Sequence, residues 1–307
     1  AEVTALVEHA KAKGGCLHQS YHRKADARGR PMARATAHTV GGSCPTAQSM
    51  AREVRAVTFG AFLVEADFAN STTAITADLI CRLDGQAQDS KANDPRPGTG
   101  KYATLLHYTH PANREQLLRD VAGAFEIEGN PAELRERAKD LITATMFEED
   151  DDGTYREAGK FQRRLQSWCR QHKGDASGLK GFPQLLAYVD EFYQARRFLL
   201  GRFPHAREYA AYRNSKKGEN DRSRKPDGAC LDGPAYAALV TTTEHELLED
   251  CALFSAKHGF RVEDLISDGL HLRIPKDCES RGTGVSQIEE LAENMTGHVR
   301  NLRGWRF

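Results

Sequence analysis

An α+β fold, with a small antiparallel sheet, flanking helices and a mostly α-helical insertion, is what this sequence predicts. Three observations carry the prediction. The stretch "FLVEADFANSTTAI" (62–75) opens as an apolar strand, ends in an acid at Asp67 and resumes apolar burial at Ile75. The stretch "EDLISDGLHLRI" reads as strand, tight turn, strand, because Asp-Gly between alternating apolar runs is a strong hairpin signal. Between them, from about 112 to 212, the apolar spacing is mostly helical.

The elements follow in order. Residues 1–13 ("AEVTALVEHAKAK") have helical spacing. Residues 14–45 are rich in Gly, Arg and His, strongly basic and too polar for a core. A short helix, "TAQSMAREVRAV", leads into the first strand, and the Asn-Ser-Thr after Asp67 suits the start of another helix. Residues 83–100 ("LDGQAQDSKANDPRPGTG") are a loop by composition. Four helical segments come next: "NREQLLRDVAGAF", "NPAELRERAKDLITATMF", "KFQRRLQSWCRQH" and "FPQLLAYVDEFYQARRFLLGRF". The second starts well, with Asn130 at the cap and Pro131 just inside. Residues 213–229 read as a flexible basic loop. "TTTEHELLEDCALFSAKHG" is a helix, with Thr243 and Glu246 spaced as a capping box and Gly259 as its stop.

Composition narrows the function classes. At 307 residues the chain can bury one large core or two modest ones. Basic and acidic residues balance at 43 each, so any polyanion site must be a local patch rather than a global field. No apolar run approaches a membrane span, so no membrane partner is expected. The seven cysteines are scattered without a CxxC, which points to reduced thiols in an intracellular compartment rather than disulfides or a zinc site.

Two acids draw attention. Asp67 closes the first strand, and Asp268 sits at the hairpin tip. Singly, each has a plain reading: Asp67 as a helix cap, Asp268 as a turn former. Together, two carboxylates at the ends of adjacent strands suit a pair of divalent metals held roughly 3.5 to 4 Å apart, the arrangement of two-metal phosphoryl chemistry.

The order of motifs resembles the polymerase core of family-A DNA polymerases, in the shortened, divergent form of large viruses, mobile elements and protists. "RGRPMARATAHTVGGSCPTAQSMAREVR" resembles the basic approach to the palm, with Gly29, Arg30, Gln48, Arg52 and Arg55 matching. "LVEADFANSTTAI" resembles motif A and makes Asp67 the first metal ligand. "LRERAKDLITATMF" resembles the fingers helix, making Arg135 and Lys139 the triphosphate contacts and Phe147 a base-pair contact. "FRVEDLISDGLHLRI" resembles motif C, with Asp268 as the second ligand. The likeness covers roughly residues 20–275.

The resemblance implies an antiparallel palm sheet, an N-terminal segment with the first half of the palm (1–100), a fingers-like insertion (101–227) and the second half of the palm with a C-terminal helix (228–307). It implies nucleotidyl transfer from a nucleoside triphosphate to a nucleic-acid 3′ end, with two Mg²⁺ or Mn²⁺ ions on Asp67 and Asp268. A Val64 or Phe68 carbonyl would complete the shell. Arg30, Gln48, Arg52 and Arg55 would line the path of a primer-template, DNA rather than RNA, within a replication or structural assembly.

The sequence also departs from the family pattern. Motif C reads Ser-Asp-Gly where His-Asp-Glu is usual, so the third carboxylate is missing. Thr72 stands near the place of the glutamate that excludes ribonucleotides. Arg135 and Lys139 have Glu133 and Glu136 beside them, so a solvated, ion-paired face is the plain reading. The alternative function is an inactive polymerase-derived subunit, structural or nucleic-acid-binding, and a third is primase-like or terminal-transferase activity at the same site.

Overall fold

A computed structural model describes residues 19–39, 63–68, 70–84, 100–123, 130–147, 166–167, 170, 183–218, 221, 224–226, 228–266, 269–273 and 284–303. In chain order its elements are β1 (Gln19–Ala25), β2 (Pro31–Thr39), β3 (Leu63–Asp67), α1 (Ser71–Leu83), α2 (Ala103–His107), α3 (Pro111–Gly123) and α4 (Pro131–Phe147). They continue with α5 (Pro183–Arg202), α6 (Pro204–Ser215), α7 (Asp232–Lys257), β4 (Arg261–Ile266), β5 (Gly269–Arg273) and α8 (Gly284–Arg303). The fold is mixed α+β and predominantly helical, with two small antiparallel sheets. Two compact units divide the chain: Ala1–Ser71 with Thr241–Trp305, and Thr72–Val240 with Arg306–Phe307.

In the first unit, β1 and β2 form an antiparallel hairpin within the basic stretch 14–45, to which the sequence reading assigned no strand. The physical reason lies in the turn. The buried Asp26 carboxylate accepts from the backbone N–H groups of Arg28 (2.8 Å) and Arg30 (2.9 Å) and from Arg30 Nε (2.6 Å). Gly29 takes a φ of 79°, which a side chain would resist. Burial pushes the Asp26 carboxyl up, but the hydrogen bonds from Arg30 and Arg28 outweigh it and hold it below the usual carboxylate range.

The second sheet has the order β3–β5–β4, antiparallel throughout. The Asp-Gly signal holds: β4 and β5 flank positions 267 and 268 as a hairpin. Leu270 and Leu272 of the central strand are buried, as are Leu291, Met295 and Val299 of α8, spaced every fourth residue along one helical stripe. Ser255 Oγ donates to the Cys251 carbonyl at 2.8 Å and lies 3.2 Å from Met295 Sδ, fixing α7 against α8. Among the described residues, Cys81, Cys230 and Cys251 are thiols outside any disulfide. Burial, with Asp250 adding to it, pushes Cys251 up to about 12, so it packs as an apolar group.

Helix α7 corrects a second expectation. It begins at Asp232, so Thr243 and Glu246 stand in mid-helix rather than in a capping box, and Thr243 is buried. Pro234 lies in the first turn, where its missing N–H costs nothing, and the Ala-rich run after it continues the helix without a break. The predicted stop is correct: Gly259 has φ 82°, and Phe260 N–H bonds the Ser255 carbonyl at 3.0 Å.

The second unit is helical. Ile75, Ile80, Leu105, Leu118, Leu185, Phe192 and Tyr236 form its core. Asn130 caps α4 as expected, accepting from the Ala132 N–H at 3.0 Å. Buried polar groups are answered locally. Tyr188 OH meets Thr73 Oγ1 at 3.1 Å, Tyr236 OH bonds Thr76, and the fully buried Arg196 donates to the Met146 carbonyl at 2.8 Å.

Candidate active site

Strand register builds the site. Along β3 and β5 the pairs are Leu63 with Arg273, Glu65 with His271, and Asp67 with Gly269. Across β5 and β4 they are Gly269 with Ile266 and His271 with Asp264. Asp67 therefore stands directly opposite the residue that follows Asp268, at the end of the sheet that carries the β4–β5 turn. Asp67 is exposed there. Asp268 itself lies outside the described residues.

The opposite end of the sheet has its own charge balance. Glu263 pairs with Arg261 at 2.9 Å and also with Arg273. Those arginines sit about four residues along the strands from Asp67, roughly 13 Å away at the usual rise per residue.

Gly269, paired with Asp67, is tightly enclosed by β3. A Cβ there would lie 2.6 Å from the Ala66 carbonyl oxygen and 3.2 Å from the Asp67 Cα. The close approach of β3 to β5 leaves no room for a side chain at this position. Sequence reasoning assigned nothing to His271, yet it is buried in the central strand, in one cross-strand row with Glu65 and Asp264 and two residue pairs along from Asp67. Counting in steps of two from Gly269 was the signal that would have found it.

The triphosphate candidates belong to the other unit. Arg135 and Lys139 lie one turn apart on α4. Arg135 Nε donates to Glu115 of α3 at 2.6 Å in a two-pronged pair, and its Nη1 lies 2.5 Å from Glu136. Lys139 Nζ is 3.7 Å from Glu136. The Phe147 ring packs 5.7 Å from that of Tyr236. Arg30 is engaged by Asp26 at the β1–β2 tip. Gln48, Arg52 and Arg55 lie outside the described residues.

The Glu115–Arg135 pair yields a test. The hydrogen bond from Arg135 is the main cause holding the Glu115 carboxyl below the usual range. A lowered carboxyl stabilises above the ordinary glutamate range, and that stabilisation is lost as pH falls through the lowered value. Both side chains are about a third exposed, so Glu115→Gln should cost only roughly 0.5–1 kcal/mol at neutral pH. Thermal melts of the two proteins should converge as the solution is acidified, and a gap that persists in acid would refute the ion-pair account.

Among the described residues no group of three or more His, Cys, Asp or Glu side chains is placed to hold a metal ion. The donor set at issue, Asp67 with Asp268, is all carboxylate oxygen, which suits a hard divalent cation such as Mg²⁺ or Mn²⁺. Among the described residues no helix is long and apolar enough to cross a membrane. No protein-family model matches the chain, and no curated protein sequence matches it.

Proposed function

We propose that the chain carries out metal-dependent nucleotidyl transfer from a nucleoside triphosphate to a nucleic-acid 3′ end, with a palm-like β3–β5–β4 sheet as its catalytic platform. The observation that supports this reading is the register that sets Asp67 opposite Gly269, the residue that follows Asp268 in sequence. Asp67 and Asp268 would hold the cations, which when bound supply charge to the reacting phosphoryl group. Lys139, with Arg135, would offset the triphosphate charge. Arg30, Gln48, Arg52 and Arg55 would hold the primer-template.

A specific observation favours the inactive-subunit reading as the alternative. Arg135 is held by Glu115, so binding a triphosphate there requires that pair to open. One experiment separates the two readings. A labelled primer-template is incubated with deoxynucleotide or ribonucleotide pools and Mg²⁺ or Mn²⁺, and products are resolved by length. Extension supports the enzyme, and the pool that is used assigns the sugar preference. No extension under any combination sinks the enzyme reading.

A further inference from the structure

From Arg196 to Lys217 the α5–α6 segment holds seven basic residues and a single acid, Glu208, in a chain whose charges cancel overall. Two of the seven are spent within the fold: Arg196 is fully buried, and Arg207 pairs with Asp232 at 2.7 Å. Aromatic residues are interleaved with the rest. Arg202 Cζ lies 5.4 Å from the centre of the Phe198 ring, one turn back on α5. Lys216 Nζ, just past the end of α6, lies 5.3 Å from the centre of the Tyr212 ring. Lys101 Nζ approaches the same Phe198 ring at 5.5 Å, with its own charge met by Asp84 at 2.6 Å.

The way these cations are held has a consequence. A carboxylate partner fixes a cation and cancels its charge. A ring fixes it through its quadrupole and leaves the charge uncancelled. Among the described residues no carboxylate meets Arg202 or Lys216. Both are exposed, and the Phe198 and Tyr212 rings beneath them are half-buried. Between the two pairs runs α6, 12 residues long, about 18 Å at the usual rise per residue. A matching ligand brings negative charge at more than one point and flat faces to lay on rings and guanidinium. A single nucleic-acid strand has both, in its spaced phosphates and its unstacked bases, whereas a duplex hides its base faces. A membrane surface suits the site less. The exposed residues of α6 are Pro204, Arg207, Glu208, Ala211 and Ser215, none of them a large apolar side chain to insert.

We propose that the Phe198–Arg202 and Tyr212–Lys216 pairs form a docking surface for single-stranded nucleic acid, held through phosphate and by stacking. The class of partner rests on the nucleic-acid reading above, but these residues have no part in the catalysis proposed there, so binding alone tests the surface. The probe is a fluorescent oligothymidine of about 15 nucleotides, titrated in chelator without nucleotide across a salt series, with thermal melts alongside. Arg202→Gln with Lys216→Gln should lower the slope of log affinity against log salt by about 1.4, near 0.7 for each phosphate no longer neutralised. Phe198→Leu changes no charge and keeps an apolar side chain, yet should weaken binding about fivefold or more; Tyr212→Leu repeats the test at the second ring, should the first variant melt early. An unchanged salt slope in the double variant would overturn the proposal. So would wild-type affinity in both ring variants, tighter binding to a duplex than to the single strand, or equally tight, Arg202-dependent binding to phosphatidylserine vesicles. Arg202-dependent binding without any primer extension would keep the surface and end the catalytic reading. Extension with binding indifferent to Arg202 and Lys216 would do the reverse.

Discussion

Replacing Asp67 by Asn is expected to cut nucleotide incorporation on the order of a thousandfold, about 4 kcal/mol in the barrier, if two carboxylates anchor the cations. The same change should leave stability within about 0.5 kcal/mol, because Asp67 is exposed at a strand end and Asn keeps its shape. The two readouts pull apart the two roles an acid can have there. An Asp kept to start the following helix would lose stability and leave any chemistry intact. An Asp kept for chemistry would do the reverse. Primer extension by wild type and variant under matched metal and nucleotide, beside a thermal melt, decides between them. Equal extension by both proteins refutes the catalytic role. Extension by neither favours the inactive-subunit reading.

The β4–β5 hairpin was legible because its signals are short-range. Alternation in Leu270, Leu272 and Ile274 and the Asp-Gly turn define a hairpin within a dozen residues. Helix α4 was legible for the same reason, since Asn130 and Pro131 sit next to the residues they cap. The β1–β2 hairpin was missed because composition was weighed over turn chemistry. Asp26 four residues before Arg30, with Gly29 between them, is a turn signal inside a basic stretch. The start of α7 was misplaced because a good capping pattern at Thr243 competed with a Pro and a run of alanines that begin the helix earlier.

The site was legible only in outline. Local pairing rules see Glu133 and Glu136 around Arg135, but its strongest partner is Glu115, 20 positions away on another helix. Likewise, nothing within a few residues of Asn214 announces that it closes on Lys225, 11 positions on. Such contacts depend on tertiary packing, which periodicity and capping do not encode. A side chain that sequence reads as a free cation can thus be committed elsewhere in the fold, and a loop that reads as loose can be pinned.

Gly269→Ala should destabilise the fold by roughly 1–3 kcal/mol and lower primer extension with it. The added Cβ would sit 2.6 Å from the Ala66 carbonyl oxygen, 3.3 Å from the Ala66 carbonyl carbon and 3.2 Å from the Asp67 Cα. All three are backbone atoms of the paired strand, so no side-chain rotation relieves the clash. Either β3 moves away from β5 or the pairing at that end opens, and in both cases Asp67 leaves its place beside the β4–β5 turn. Gly297→Ala is the matched control. It lies within α8 with nothing within 4 Å of the added atom, so the substitution should raise stability by up to about 1 kcal/mol through helix propensity. Denaturant melts of the three proteins, with extension measured well below the melting range, make the comparison. A Gly269→Ala melt as stable as wild type would refute the close strand approach. A destabilised protein with undiminished extension would keep that approach and remove Asp67's position at the turn as a requirement for activity.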